Sequence, residues 1–210
     1  MNPKTFFRKT IYGKPIIIVS GLPRSGTSMM MKMLEAAGLG IVSDGVRTAD
    51  DDNPKGYYEL ERIKDLDKNK DKSWLKDLRG KVVKIISFLL KELPRNNNYK
   101  VIFIERNLKE VIASQNKMLT HRQESGGNVS DDKMITNYEN HLWKIKYLLR
   151  NAPQFQVLYL NHRDVLQKPQ EQAAKVNVFL GGTLNELEMA GVVDPNLYRN
   201  REEKLTQENT

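Results

Sequence analysis

At 210 residues the chain suits one domain better than two, because domains centre on ~150 residues. With 39% hydrophobic and 29% charged residues it lies outside the disordered, collagenous and coiled-coil classes. It has no Cys and three His (His121, His141, His162), which excludes disulfide scaffolds, thiol nucleophiles and cysteine zinc sites, and argues against a metal centre. Lys and Arg exceed Asp and Glu by 34 to 26, and the resulting charge of +8 favours an anionic partner.

The longest strongly apolar runs, 16–19 and 101–104, are far shorter than the ~20 residues of a membrane span. The first ten residues, MNPKTFFRKT, carry positive charge but no long apolar region follows, so no secretory signal is expected and the chain reads as cytoplasmic, without a membrane partner. In chain order the pattern predicts a strand over 16–20, a helix over 27–37, strands over 82–86 and 101–105, a helix over 108–120 and a strand over 157–160. This alternation implies an α/β fold, a mainly parallel central sheet flanked by helices in three layers. Between residues 131 and 150, Ile135, Tyr138, Leu142, Ile145 and Leu149 recur at helical spacing and predict a packing helix. Two stretches read as functional loops: 43–56, with Asp44 and the run Asp50-Asp51-Asp52, and 121–130, whose Gly126-Gly127 pair suggests a mobile flap. Residues 201–210 hold a single Leu and are expected to fray, leaving 1–200 as one domain.

The richest segment runs from Ile16 through Gly21-Leu22-Pro23-Arg24-Ser25-Gly26-Thr27-Ser28, a buried strand turning into a helix through two glycines. Glycines let the backbone turn its N–H groups inward, and the helix start adds unpaired donors and partial positive charge, so the segment is a P-loop-like anion cradle. The Gly21-x4-Gly26 spacing copies a P-loop, yet Thr27 stands where GxxxxGK[ST] requires Lys. The cation is Arg24, inside the loop. Met29, Met30, Met33, Leu34 and Ala37 recur at helical spacing and read as core.

Here the chain resembles the PAPS-dependent sulfotransferases, whose 5′-phosphosulfate loop reads PKSGTT or PRSGTT. Pro23, Arg24, Ser25, Gly26, Thr27 and Ser28 match that loop. The segment from Lys100 to Ser114 is similar to the family's strand, loop and helix in which Arg, seven residues, then Ser hold the 3′-phosphate, which implies that role for Arg106 and Ser114. Asn107 can cap that helix, and 107, 111 and 114 share one stripe. A third match runs from Val157 to Gly181. There His162 stands where many members place a Tyr near the adenine; the alternatives are a base contact and a surface turn histidine. The text LPRSGTS with a later NPKGYYE is similar to small bacterial sulfotransferase-like proteins.

Catalysis departs from the cytosolic members. Lys84 matches the family Lys in the strand before KTHLP, but no His follows it. Members acting on tyrosylproteins and heparan use a carboxylate instead, and the spacing of the former lands on Asp44; Glu59 is the competitor. Asp44 is the expected base, since it follows the first helix in a polar loop near the sheet's carboxyl edge, whereas Glu59 reads as the start of a helical stretch. The resemblance therefore implies metal-free, in-line transfer of a sulfonate from PAPS to a hydroxyl or amine acceptor, a small molecule or glycan, leaving PAP. Arg24 and Lys84 would supply charge, and Asp44 or Glu59 would take the proton. Three other readings stay open. They are a kinase or NTPase with a P-loop-like site, a nucleic-acid-binding protein suggested by charge alone, and a degenerate PAP-binding protein without turnover.

Overall fold

The computed structural model describes residues 8, 10–45, 58–121 and 130–194. The run Asp50-Asp51-Asp52, the Gly126-Gly127 flap and the tail 201–210 lie outside the described residues. Four strands, β1 (Ile16–Gly21), β2 (Val82–Lys84), β3 (Tyr99–Glu105) and β4 (Phe155–Asn161), form one sheet in the order β2-β1-β3-β4. Every pairing is parallel. Helices cover both faces, which is why β1 is buried along its whole length and reads as a continuous apolar run.

Alternate residues of the strands serve two cores. Ile16, Ile18, Val83, Ile85, Val101 and Phe103 face helix Asp131–Asn151 through Ile145 and Leu149. Ile17, Val19, Val82, Ile102 and Ile104 face helix Thr27–Ala36 through Met30, Met31, Met33 and Leu34. Each such side chain, fully buried, contributes roughly 1.5–3 kcal/mol. In chain order the helices are α1 (Thr27–Ala36), α2 (Glu61–Lys64), α3 (Leu108–His121), α4 (Asp131–Asn151), α5 (His162–Gln167), α6 (Pro169–Leu180) and α7 (Glu186–Gly191). Pro169 takes the first turn of α6, where its missing N–H costs nothing, and so divides α5 from α6.

Strand boundaries differ modestly from expectation. β2 stops at Lys84, two residues early, because Ser87–Glu92 winds into a 3-10 turn. β3 starts at Tyr99, whose ring packs 5.3 Å from that of Phe155, so a tertiary aromatic contact extends both strands past their apolar runs.

β1 has β2 on one side and β3 on the other, so the chain reverses direction across the sheet between β1 and β3. Parallel sheets open a ligand crevice at such a point, beyond the carboxyl ends of the strands. The register pairs Val19 with Lys84, Gly21 with Ile104 and Glu105 with Asn161. Lys84, the glycine loop, Arg106 and His162 are therefore delivered to one edge. Among the described residues no helix is long and apolar enough to cross a membrane.

Candidate active site

The loop after β1 holds two left-handed residues, Arg24 at φ 69° and Gly26 at φ 99°. Such strain in a non-glycine residue costs about 1–3 kcal/mol and persists where surroundings impose it. A Cβ at Gly21 would overlap Ser25 Oγ and the Ile104 carbonyl, so glycine is needed there for close approach. Ser25 is buried, and its hydroxyl finds no hydrogen-bond partner among the described residues. α1 begins at Thr27 with no acidic residue in its first turn and no side-chain cap. The N–H groups and positive end of its first turn, with the Ser25 hydroxyl beside them, fit an anion. Pro23, Thr27 and Ser28 are half-buried around the turn.

Arg24 and the α3 residues meet. Arg24 Nε donates to Ser114 Oγ at 3.1 Å, and Arg106 Nη1 donates to the Arg24 carbonyl at 3.0 Å. Arg106 Nε also donates to Glu110 Oε2 at 2.9 Å, with both side chains nearly inaccessible at 9% and 5% exposure. Asn107 Oδ1 accepts from the Lys109 N–H at 2.9 Å, the expected cap. Glu110 went unnoticed in the sequence. Its signal was the i,i+4 spacing from Arg106, which reads as an ordinary surface pair.

His162 opens α5 and is buried, which rules out a surface turn histidine. Its Cδ2 occupies the space where a Cβ on Gly26 would stand, so the imidazole lies directly behind the phosphate-loop turn. Burial, and secondarily the Arg106 charge, push its pKa down to about 3, so the ring is neutral.

The two carboxylates behave differently. Glu59 Oε1 lies 3.6 Å from Lys84 Nζ and its Oε2 3.2 Å from Lys64 Nζ, with the Lys84 side chain only 8% exposed. Asp44 is exposed, and its Oδ2 accepts the Glu61 N–H at 2.5 Å at the start of α2. The Asp44 N–H and the Ser43 hydroxyl both donate to the Glu59 carbonyl at 3.1 Å. Glu59 therefore precedes α2 rather than beginning it. Tyr58, at φ 51°, donates its hydroxyl to Glu35 Oε2 at 2.7 Å, which ties this segment to α1; burial, and then this bond, raise its pKa. Among the described residues no group of three or more His, Asp or Glu side chains could hold a metal ion.

The sulfotransferase domain model matches residues 14–208. This chain belongs to the sulfotransferase domain family. Among solved structures, retinol dehydratase in complex with androsterone and inactive cofactor PAP is similar in fold, at 18% identity over 94% of this chain and 69% of that one, with a TM-score of 0.50. A sulfotransferase domain from the curacin biosynthetic pathway matches at 17% identity, 93% and 90% coverage and a TM-score of 0.46. A sulfotransferase from Alicyclobacillus acidocaldarius matches at 14% identity, 80% and 81% coverage and a TM-score of 0.46. No curated protein sequence matches. Within a sulfotransferase domain, the three segments matched by motif are those the sheet gathers at its carboxyl edge, although they are far apart in the chain.

Proposed function

We propose that this sulfotransferase-family chain transfers a sulfonate from PAPS to a small-molecule or glycan acceptor, leaving PAP. The observation that carries the reading is the junction of Arg24, Arg106 and Ser114 at the strand ends. The loop N–H groups, the α1 N-terminus and Ser25 would hold the 5′-phosphosulfate, and Arg106 with Ser114 the 3′-phosphate. PAPS supplies the sulfonate and a phosphate leaving group. Arg24 and Lys84 offer fixed positive charge where negative charge grows as the acceptor forms its bond to sulfur and the sulfur to phosphate-oxygen bond breaks.

Glu59 takes the acceptor proton in this reading, and Asp44 holds Glu59 in place. Glu59 touches Lys84, whereas the Asp44 carboxylate is turned to the Glu61 N–H. Lys84 drawn toward the sulfonate would loosen its ion pair with Glu59. His162 serves the loop from behind rather than the adenine.

Calorimetric titration with PAP in chelator, against ATP with magnesium, tests the donor. PAP binding without metal supports the proposal. Preference for ATP would overturn it in favour of a kinase or NTPase, and PAP binding without transfer to any acceptor would reduce the chain to a binding protein.

A further inference from the structure

Two residues beside the candidate site stand where local physics disfavours them. Tyr58 is left-handed at φ 51°, a conformation that a bulky residue keeps only where its surroundings impose it. Glu35 lies in the last turn of α1, where the negative end of the helix disfavours a carboxylate and no basic residue offsets it. One bond joins them, from the Tyr58 hydroxyl to Glu35 Oε2 at 2.7 Å. Residues that break a local rule are expected where function rather than stability has set the sequence.

The bond restrains the residue that precedes Glu59. The Tyr58 ring is half-buried and packs on the core that α1 covers. On the other side, the Glu59 carbonyl accepts from the Asp44 N–H and the Ser43 hydroxyl, both at 3.1 Å. Between these restraints, Glu59 Oε1 lies 3.6 Å from Lys84 Nζ. The left-handed turn thus sends one side chain to α1 and the next to the edge strand β2. α1 is also the helix whose first turn faces the anion cradle, so one rigid element carries the donor's site at its start and the tether near its end.

We propose that Tyr58 is a positioning residue for the transfer: its hydrogen bond to Glu35 holds the left-handed turn that aims the Glu59 carboxylate at Lys84. This rests on the sulfotransferase reading with Glu59 as the proton acceptor. Asp44 fixes the backbone of Glu59 from the side of α2, and Tyr58 fixes it relative to α1. Losing the bond lets the turn relax toward ordinary backbone angles and leaves the carboxylate poorly aimed, so the chemical step slows while binding does not change.

The test follows PAP release from PAPS, with 2-naphthol as the acceptor probe and with water alone. Tyr58→Phe keeps the ring and loses only the hydroxyl. Its kcat should fall by about tenfold, short of the ~10²-fold that a 1 Å misplacement of a reacting group costs. KM for 2-naphthol and calorimetric PAP affinity should stay within about twofold. Glu35→Ala should reproduce the fall, and the two changes together should fall no further than either alone. Glu35→Gln keeps an oxygen for the Tyr58 hydroxyl and should restore kcat to near wild type. In a Glu59→Gln background Tyr58→Phe should leave kcat where it is, because the tether acts through Glu59. An unchanged kcat in Tyr58→Phe whatever its melting temperature, independent losses from Tyr58→Phe and Glu35→Ala, or a further fall in the Glu59→Gln background would overturn the tether while leaving the donor site standing. Should Tyr58→Phe fail to fold, Glu35→Ala against Glu35→Gln carries the same comparison. Failure of the wild-type chain to bind PAP, or to release it from PAPS in either assay, would instead overturn the sulfotransferase reading, and this inference with it.

Discussion

Arg24 and Ser114 are joined by a 3.1 Å hydrogen bond from guanidinium to hydroxyl, which ties the phosphate loop to the middle of α3. Residues assigned to opposite ends of the same nucleotide therefore touch. A ligand bridging the loop and α3 meets a preformed junction rather than two mobile halves. Arg24 is also the loop's strained residue, its backbone held through its carbonyl by Arg106 and its side chain held by Ser114.

Arg24→Gly tests that arrangement. Glycine relieves the left-handed backbone at φ 69° but loosens the unfolded chain, two effects of about 1 kcal/mol and opposite sign. The melting temperature should move by only a few degrees, while sulfonate transfer should fall by at least about a hundredfold, the scale of losing one preorganised charge. Transfer at the wild-type rate would remove Arg24 from the mechanism.

Arg106 and Glu110 form a buried pair, so the two partners fail in different ways. Arg106→Ala should weaken PAP far more than an analogue without the 3′-phosphate, because the guanidinium addresses that group. Glu110→Ala removes the buried carboxylate that Arg106 pairs with and should lower folding stability in chemical denaturation. Equal losses for both nucleotides in Arg106→Ala would place Arg106 away from the 3′-phosphate.

The carboxylates give a sharper contrast. Glu59→Gln keeps size and polarity but cannot take a proton, so kcat should drop by roughly 10²–10⁴ with PAP affinity nearly intact. Asp44→Asn retains a side-chain oxygen for the Glu61 N–H and should stay within a few-fold of wild type, whereas Asp44→Ala should lower kcat by releasing the segment that carries Glu59. An inactive Asp44→Asn beside an active Glu59→Gln would return the base to Asp44, where spacing in the sequence had put it.

The strands and the phosphate loop were legible in the sequence because their causes are local. β1 is apolar throughout since helices cover both of its faces, and Gly21 and Gly26 mark backbone that no larger residue fits. Arg106 and Ser114 were singled out by the family resemblance, and the structure brings both against Arg24. The surroundings of Glu59 and His162 were not legible, because each depends on a partner brought in by the sheet. Lys84 comes to Glu59 from the edge strand, and the space filled by His162 is created by Gly26, at the other end of the chain. Asp44 faces the start of α2, a short helix without strong periodicity.

His162 carries the pH prediction. Its folded pKa, about 3, lies below the ordinary 6.5, so the unfolded chain binds a proton that the folded chain refuses. Stability from the neutral ring is fully present above about pH 6.5 and is lost as pH falls toward about 3. Denaturant midpoints measured across that window should fall with acid, and His162→Gln should flatten this slope. In NMR titration the His162 ring should remain neutral through mild acid, unlike an exposed histidine. Since the ring fills the space behind Gly26, the same substitution should weaken PAP and the base-free ribose 3,5-bisphosphate alike, because what is lost is the shape of the loop. Weakened PAP with undiminished binding of the base-free compound would make His162 an adenine contact after all, and an imidazole titrating near neutrality would remove it from behind the loop.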